Sequence, residues 1–208
     1  CALPILPTQR VELTLAGERP LHLTGLGGRA LLPRGSTASD AEIELLRDPE
    51  FEGDGVRARA TGALRYRERS DGSGRLTLLE GVRATLERAD LAGRRSDGAA
   101  TVLADRFDGW LVRTPDAGEG GQAFAWTALE LVGAPTRTEL ADDTLTTPRL
   151  TALPGVFGEP FLLTAHGSSS RLEHRVPARG KRPAETMVAS GRDRMHYVRP
   201  GEIGRAHV

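Results

Sequence analysis

The residues between Gly55 and Leu86 alternate between apolar and polar side chains with a period of two, in two stretches separated by one glycine-rich segment. Only a β-strand sends successive side chains to opposite faces. The intervening Ser70-Asp71-Gly72-Ser73-Gly74 has the composition of a turn. The pattern therefore predicts a long antiparallel hairpin with one apolar face. Its polar face carries Arg57, Arg59, Arg65, Arg67 and Arg83, which we expect to be solvated.

Similar strand patterns recur along the chain between turn clusters such as Gly93 to Gly98, Thr114 to Gly121 and Gly167 to Ser170. One segment, Ser39 to Arg47, is compatible with a single helical turn or with a strand through Ile43 and Leu45. A change of parity within Ala104 to Leu111 predicts a bulge or corner. Besides the hairpin, we predict strands at Val11 to Leu15, Pro20 to Leu23, Ile43 to Leu46, Thr101 to Val112, Phe124 to Val132, Thr136 to Leu140 and Phe161 to Thr164. The chain is predicted to be all-β.

Charge and composition narrow the classes of partner. The 208 residues contain 28 Lys and Arg and 28 Asp and Glu, and the arginines alternate with apolar residues instead of clustering. A nucleic-acid partner is therefore not expected. Aromatic residues make up only 4% of the chain, so few rings are available to fill a compact core. No apolar run approaches the roughly 20 residues of a membrane-spanning helix.

The two ends of the sequence carry separate expectations. Cys1 is the sole cysteine, which excludes an intrachain disulfide. It is compatible with the acylated first residue of a bacterial lipoprotein, or with the start of an incomplete reading frame. We favour the second, because residues 202–208 resemble the translation of a sequencing adapter and are expected to be non-native. Residues 1–176 are predicted to form one domain, and residues 177–201 a loop followed by the start of a further hairpin or repeat.

Several motifs have a catalytic or binding interpretation that their context does not favour. Gly25 to Ala30 has the glycines of a dinucleotide-binding loop, but Pro33 prevents the helix that must follow. His166 precedes Ser168, Ser169 and Ser170, with Asp105, Asp108, Asp142 and Asp143 as available carboxylates. This spacing does not establish a triad. The histidines are scattered singly, so we expect no catalytic residue, no metal site and no cofactor.

Two further features bear on the interior of the sheet. Phe51 to Ala58 resembles Leu79 to Ala84 at an offset of about one hairpin, which favours a sheet that grows by repeated hairpins. Phe124 and Trp126 lie on one face of a predicted strand. They either fill the core or line a lipid groove, and we favour the core.

Three segments carry a resemblance to a known family: Leu79 to Leu86 with its glycine followed by alternation, the Ala-Asp element in Thr101 to Phe107, and the Gly-x-Pro strand in Leu131 to Thr136. In this order they resemble the OstA-like family of lipopolysaccharide-transport proteins, of the LptA and LptC type. The resemblance implies an elongated, folded-over antiparallel sheet, called a β-jellyroll or β-taco. It also implies a periplasmic or cell-envelope location.

By that resemblance the protein is a non-catalytic envelope protein that binds or bridges lipopolysaccharide-like lipid in an apolar groove. Each CH₂ group removed from water would contribute about 0.8 kcal/mol. Other β-jellyroll modules, joined end to end by strand pairing, are the expected protein partners. The residues expected to line the groove are Leu76, Leu78, Val82, Ala84, Leu86, Val102, Phe107, Phe124 and Trp126.

Two alternatives stay open at this point. One is a structural or adhesive β-solenoid module whose apolar face is simply its core, which a fully packed interior would favour. The other is a β-fold enzyme acting on polysaccharide, which needs paired carboxylates about 5 to 10 Å apart. Glu80 is the only carboxylate on the apolar parity of the central hairpin.

Overall fold

The computed structural model describes residues 2–15, 20–31, 40–87, 89–90, 99–115, 122–154, 161–176, 185–191 and 194–195. These residues form an all-β structure, as predicted. Ala41–Gly53 is a strand, so the strand interpretation of the Ser39 to Arg47 segment holds for the part described. The strands are β1 (Ala2–Leu15), β2 (Leu21–Leu31), β3 (Ala41–Gly53), β4 (Val56–Arg59), β5 (Leu64–Glu68), β6 (Ser73–Leu86), β7 (Ala89–Asp90), β8 (Ala100–Pro115), β9 (Gln122–Leu140), β10 (Asp143–Leu153), β11 (Phe161–His166), β12 (Ser170–Val176), β13 (Glu185–Gly191) and β14 (Arg194–Met195).

All of these strands belong to one sheet, in which the main path runs β1-β2-β3-β4-β6-β8-β9-β10-β11-β14. β5, like β4, pairs with both β3 and β6, but further along those two strands. β12 pairs with β10 on one side and with β13 on the other. The pairings are antiparallel except for the short β7, which runs parallel to β11. The predicted central hairpin is confirmed, because both β4 and β5 pair antiparallel with β6.

A line of irregularities crosses the sheet at about the middle of its long strands. The register shifts between Thr24 and Leu26 in β2, between Leu79 and Val82 in β6, and between Thr147 and Arg149 in β10. Bulges bend a strand and increase its twist. We call this line the crease; it passes through Asp48, Pro49, residues 60–63, Glu80, Gly81, Asp105, residues 133–135 and Pro148.

Contacts between distant strands show that the sheet folds over. Phe51 of β3 and Trp126 of β9 are separated in the sheet by β4, β6 and β8, which at about 4.8 Å per strand corresponds to roughly 19 Å. Their ring centroids are nevertheless 5.6 Å apart, and the Trp126 indole Nε1 donates a hydrogen bond to the Gly53 carbonyl at 3.1 Å. The two halves of the sheet therefore face each other across their apolar sides.

The predicted parity of the central hairpin is confirmed. The apolar residues of the predicted inward parity are buried, while the five arginines of the polar face are exposed. The buried residues are Val56, Ala58, Ala60, Leu64, Tyr66, Leu76, Leu78, Val82, Ala84 and Leu86. The bulge predicted within Ala104 to Leu111 is also confirmed, with register shifts on either side of Arg106 to Trp110. The expectation for Glu80 was wrong. This residue is exposed because it lies in the crease with a φ of 68°, where two residues of β6 oppose one of β8.

Some expectations concern residues outside the described ranges. These are Cys1, the turn at Gly93 to Gly98, most of the turn at Thr114 to Gly121, the loop at Pro177 to Pro183 and the tail from Glu202. The segment beyond Val176 is described at β13 and β14. β13 pairs with β12 and β14 pairs with β11, so both extend the same sheet.

Candidate functional site: the interior between the folded halves

The structure brings the nine predicted groove residues together on the inner walls of the folded sheet. All nine are buried, and the most accessible of them, Phe124 and Trp126, are 4% exposed. They come from three adjacent strands, and they occur on both sides of the crease. The nine are Leu76, Leu78, Val82, Ala84 and Leu86 of β6, Val102 and Phe107 of β8, and Phe124 and Trp126 of β9.

An aromatic cluster fills the space between the walls. Phe107 lies 5.3 Å from Phe51 and 6.2 Å from Trp126, measured between ring centroids, and the second pair is edge-to-face. Such pairs add about 0.5–1.5 kcal/mol beyond the area they bury. Phe51 was not among the predicted groove residues. Phe51 reaches Phe107 and Trp126 only because the sheet folds over. No local sequence pattern predicts that fold-over.

A small cavity remains beside this cluster, at the end of the interior near the turn between β3 and β4. Its volume is about 10 Å³, and it is lined by Leu21, Gly53, Asp54, Leu111, Phe124, Ala125 and Trp126. That is close to the smallest volume that holds one water molecule. Pockets for small molecules measure roughly 300–1,000 Å³, so this gap would have to widen greatly to hold an acyl chain.

Three threonines on the buried face beyond the crease differ in how their hydroxyls are satisfied. Thr136, Thr138 and Thr147 are each 0% exposed. The Thr147 Oγ1 lies 2.8 Å from the His166 carbonyl, 2.9 Å from the Arg149 carbonyl and 2.9 Å from the Ser170 Oγ. Within the part of the chain that the structure describes, the hydroxyls of Thr136 and Thr138 have no hydrogen-bond partner. A buried hydroxyl without a partner costs about 1–3 kcal/mol.

On the outer face, several ion pairs join side chains of neighbouring strands. Glu44 accepts from Arg29 at 3.0 Å and from Arg65 at 2.9 Å. Asp108, which is 4% exposed, accepts from Arg106 at 2.6 Å and from Arg75 at 2.8 Å. Burial opposes ionisation of Asp108, but hydrogen bonds from Arg106, Thr77 and Arg75 outweigh it and hold the pKa of this carboxyl below its usual value.

Tyr66 is a second buried residue whose polar group has a charged partner. The Tyr66 hydroxyl donates a hydrogen bond to Glu68 at 3.0 Å, and Arg113 forms an ion pair with the same carboxylate. Burial, together with the nearby negative charge of Glu68, raises the pKa of Tyr66 far above its usual value. Tyr66 therefore stays neutral and serves the packing.

The residues considered for a triad do not converge in the structure. The His166 Nε2 lies 2.9 Å from the Thr151 Oγ1, and the Ser170 hydroxyl donates to the Gly167 carbonyl at 2.8 Å. Asp105 accepts from the Ala134 backbone N–H at 3.1 Å. The Asp143 carboxylate lies 2.5 Å from the His174 Nδ1. This pair is on the opposite side of the crease from Thr151, the partner of His166.

Gly25 to Ala30, the glycine-rich segment weighed above as a nucleotide loop, lies inside β2. Gly27 and Gly28 have φ values of 61° and 144° and sit where β1 and β3 pass closely, since a Cβ on Gly28 would lie 1.9 Å from the Glu44 carbonyl oxygen. The glycines therefore serve the irregularity in the strand. Within the described ranges no group of three or more His, Cys, Asp or Glu residues could hold a metal ion.

In the same ranges no helix has the length and apolarity needed to cross a membrane. Neither family models nor curated proteins nor solved structures yielded a match to this chain.

Proposed function

We propose that the protein is a non-catalytic structural module that joins further copies of itself end to end through its edge strands. The observation that carries the proposal is the packed interior between the two walls, combined with edge strands at both ends of the sheet that, among the described residues, pair on one side only. A module whose apolar face is occupied by its own side chains has only its outer face and its edges to offer a partner.

The edge at β13 is unusually open to pairing. Among the described residues β13 pairs only with β12. Its side chains from Thr186 to Ser190 are all exposed, and Met187 and Val188 are 53% and 52% exposed. This stretch holds no charged residue and no proline. Natural proteins protect edge strands with such residues, so their lack here makes β13 a template for another strand.

The edge at the other end is β1, which in the described part of the chain pairs only with β2. Pro4 and Pro7 interrupt its first half, where they remove backbone donors, whereas residues 8–15 contain no proline. Because the two open edges lie at opposite ends of the sheet, a β13-to-β1 contact would be head-to-tail and would build an open chain of copies. β13 has 7 residues, so a few backbone hydrogen bonds, each contributing about 0.5–1.5 kcal/mol, favour a weak, concentration-dependent association.

The test is a sedimentation-velocity series with matched lysine variants. Val188→Lys places a charge on the open edge, and Val132→Lys places one at another exposed valine, in the middle of the sheet where the backbone is already paired. We expect the native protein and Val132→Lys to associate as concentration rises, and Val188→Lys to need about tenfold higher concentration or more. A native protein that stays monomeric, or equal behaviour of the two variants, would overturn the proposal.

Lipid binding between the walls is the second candidate. It is favoured by the apolar lining of both walls and by the position of Phe124 and Trp126 beside the small cavity near the turn between β3 and β4. Lipopolysaccharide-like lipid and an envelope location belong to this candidate, and both rest on the resemblance to the OstA-like family. The walls would have to separate to admit an acyl chain.

Photo-crosslinking decides between the two candidates. A crosslinker placed at Val82, Ala84, Phe124 or Trp126 should capture a lipid A analogue if the walls open, and a crosslinker at the outward-facing Arg65, which is already paired with Glu44, should not. Capture at the interior positions with none at Arg65 would favour the lipid carrier over the structural module. Absence of capture at all four interior positions would leave the structural module as the better account.

A further inference from the structure

We infer that the outer face of the sheet carries a binding site for a phosphate-type oxyanion, formed by Arg59 and Arg83 and completed by Leu103 and Arg137. We call these four residues the arginine row. The inference is independent of the end-to-end association proposed above, because the arginine row lies on the face of the sheet and not on its edges.

The register places the four residues side by side. Arg59 of β4 pairs with Arg83 of β6, Arg83 pairs with Leu103 of β8, and Leu103 pairs with Arg137 of β9. All four are exposed, while the residues on either side of each of them in sequence are buried. Their side chains therefore project from the same outer face in one line across four strands, next to the crease.

Arg59 and Arg83 differ from most of the arginines around them in having no ion pair and no hydrogen bond within the described ranges. Elsewhere on the same face Arg57 binds Glu52 at 2.6 Å, and Arg65 binds Glu44 at 2.9 Å. Arg75 and Arg106 share Asp108. Glu50 stands opposite Arg59 in the register but forms no ion pair with it.

Two like charges directly opposite each other on neighbouring strands repel, and such pairs destabilise a sheet. An oxyanion placed between the two guanidinium groups removes that repulsion. Each guanidinium presents parallel N–H donors that match the oxygens of a phosphate, so two of them can bind three oxygens of one phosphomonoester. The Cα atoms of directly opposed residues are about 4.5–5.5 Å apart, a separation that long arginine side chains span with ease.

Arg137 and Leu103 extend the site on its other side. Arg137 has an ion pair with Glu139 at 3.1 Å, with both side chains about half exposed. Exposed pairs of this kind contribute little, so Arg137 can turn from Glu139 to a bound anion. Leu103 is 40% exposed between the arginines and offers an apolar contact beside the charge. The ligand that fits is a phosphate group, either free or attached to a larger amphiphilic molecule.

The test compares two double variants with the same change of charge. Arg59→Gln/Arg83→Gln removes the unpaired arginines, and Arg57→Gln/Arg65→Gln removes two paired ones from neighbouring positions on the same face. Binding is measured calorimetrically with inorganic phosphate, and by co-sedimentation with vesicles of phosphatidylcholine containing phosphatidic acid, whose headgroup is a phosphomonoester. Vesicles of pure phosphatidylcholine serve as the reference.

We expect the native protein to bind at least one of the two probes saturably. Removal of Arg59 and Arg83 should weaken that binding by about tenfold or more, and the control pair should change it by about twofold or less. Binding of phosphate without vesicles would assign a soluble oxyanion, and binding of vesicles without phosphate would assign a lipid headgroup. Lack of saturable binding by the native protein, or equal losses in the two double variants, would overturn the inference.

Discussion

The two unsatisfied threonine hydroxyls allow a test of whether the interior is a dry core. Thr138 projects its hydroxyl into the interior between Val102 and Leu145, its register partners on β8 and β10. No described residue forms a hydrogen bond with this hydroxyl. Replacement of this residue by valine keeps nearly the same shape and removes the buried polar group. Because an orphan hydroxyl costs about 1–3 kcal/mol, we expect Thr138→Val to raise the free energy of unfolding by about 1–3 kcal/mol.

Thr147→Val is the matched control. Thr147 has the same residue type and the same 0% exposure, and it faces Thr136 directly across β9 and β10. Its hydroxyl, however, lies within hydrogen-bonding distance of the His166 and Arg149 carbonyls and of the Ser170 hydroxyl. Valine at this position leaves those groups without their partner, so we expect a loss of about 1–3 kcal/mol.

The assay is thermal unfolding followed by far-ultraviolet circular dichroism, combined with denaturant titration. For a domain of this size each kcal/mol shifts the Tm by about 2–4 °C, so the two variants should move in opposite directions by a measurable amount. A Thr138→Val protein that is destabilised as much as Thr147→Val would refute the reasoning. That result would mean that an interior water satisfies the Thr138 hydroxyl, so that this part of the interior is not dry.

Three further predictions concern single residues around the core. Gly109→Ala should destabilise the fold by about 1–3 kcal/mol in denaturant titration, because its Cβ would lie 2.4 Å from the Trp126 ring; unchanged stability would contradict the packing described. Asp108→Asn should lower stability by about 1–2 kcal/mol at neutral pH, where Arg75 and Arg106 bind the carboxylate. Since the pKa of Asp108 is lowered by folding, its contribution is present above the unfolded pKa and is lost as pH falls through the folded value, so the variant and native curves should converge in acid; parallel curves would argue against this. Because burial raises the pKa of Tyr66 far above its usual value, ultraviolet titration of a Tyr197→Phe variant, in which Tyr66 is the one remaining tyrosine, should show phenolate only when alkali unfolds the chain. Ionisation near pH 10 in the folded state of that variant would contradict the burial.

Alternation along single strands was the part of the structure that the sequence could predict. In the strands of the hairpin from Gly55 to Leu86 the apolar residues of one parity are buried, and the arginines of the other parity are exposed, because the direction of a side chain depends on its place along a strand. Glu80 shows the limit of this reasoning. A bulge takes one extra residue, so the residue inside it no longer follows the parity of its neighbours.

Similar local sequences also took different structures. In Phe51 to Ala58 the glycine-rich step at Asp54 and Gly55 is a turn between two strands, whereas in Leu79 to Ala84 the step at Glu80 and Gly81 is a bulge within one strand. Both steps place residues at positive φ. The local backbone preference is therefore the same, and the partner strand decides whether the chain reverses or continues.

The alternating pattern by itself determined that the chain forms strands, which side chains are apolar and inward, and where several strands break. Only the tertiary structure decided that the two walls meet. The contact of Phe51 with Phe107 and Trp126 joins β3 to β8 and β9, from which β4 and β6 separate it in the sheet. The distance between the walls depends on how the volumes of such distant side chains add up. The ion pairs of the outer face also depend on the tertiary structure. The sequence shows that arginines alternate with apolar residues, but the cross-strand register decides which arginines lie beside a carboxylate. That register places Arg59 opposite Arg83.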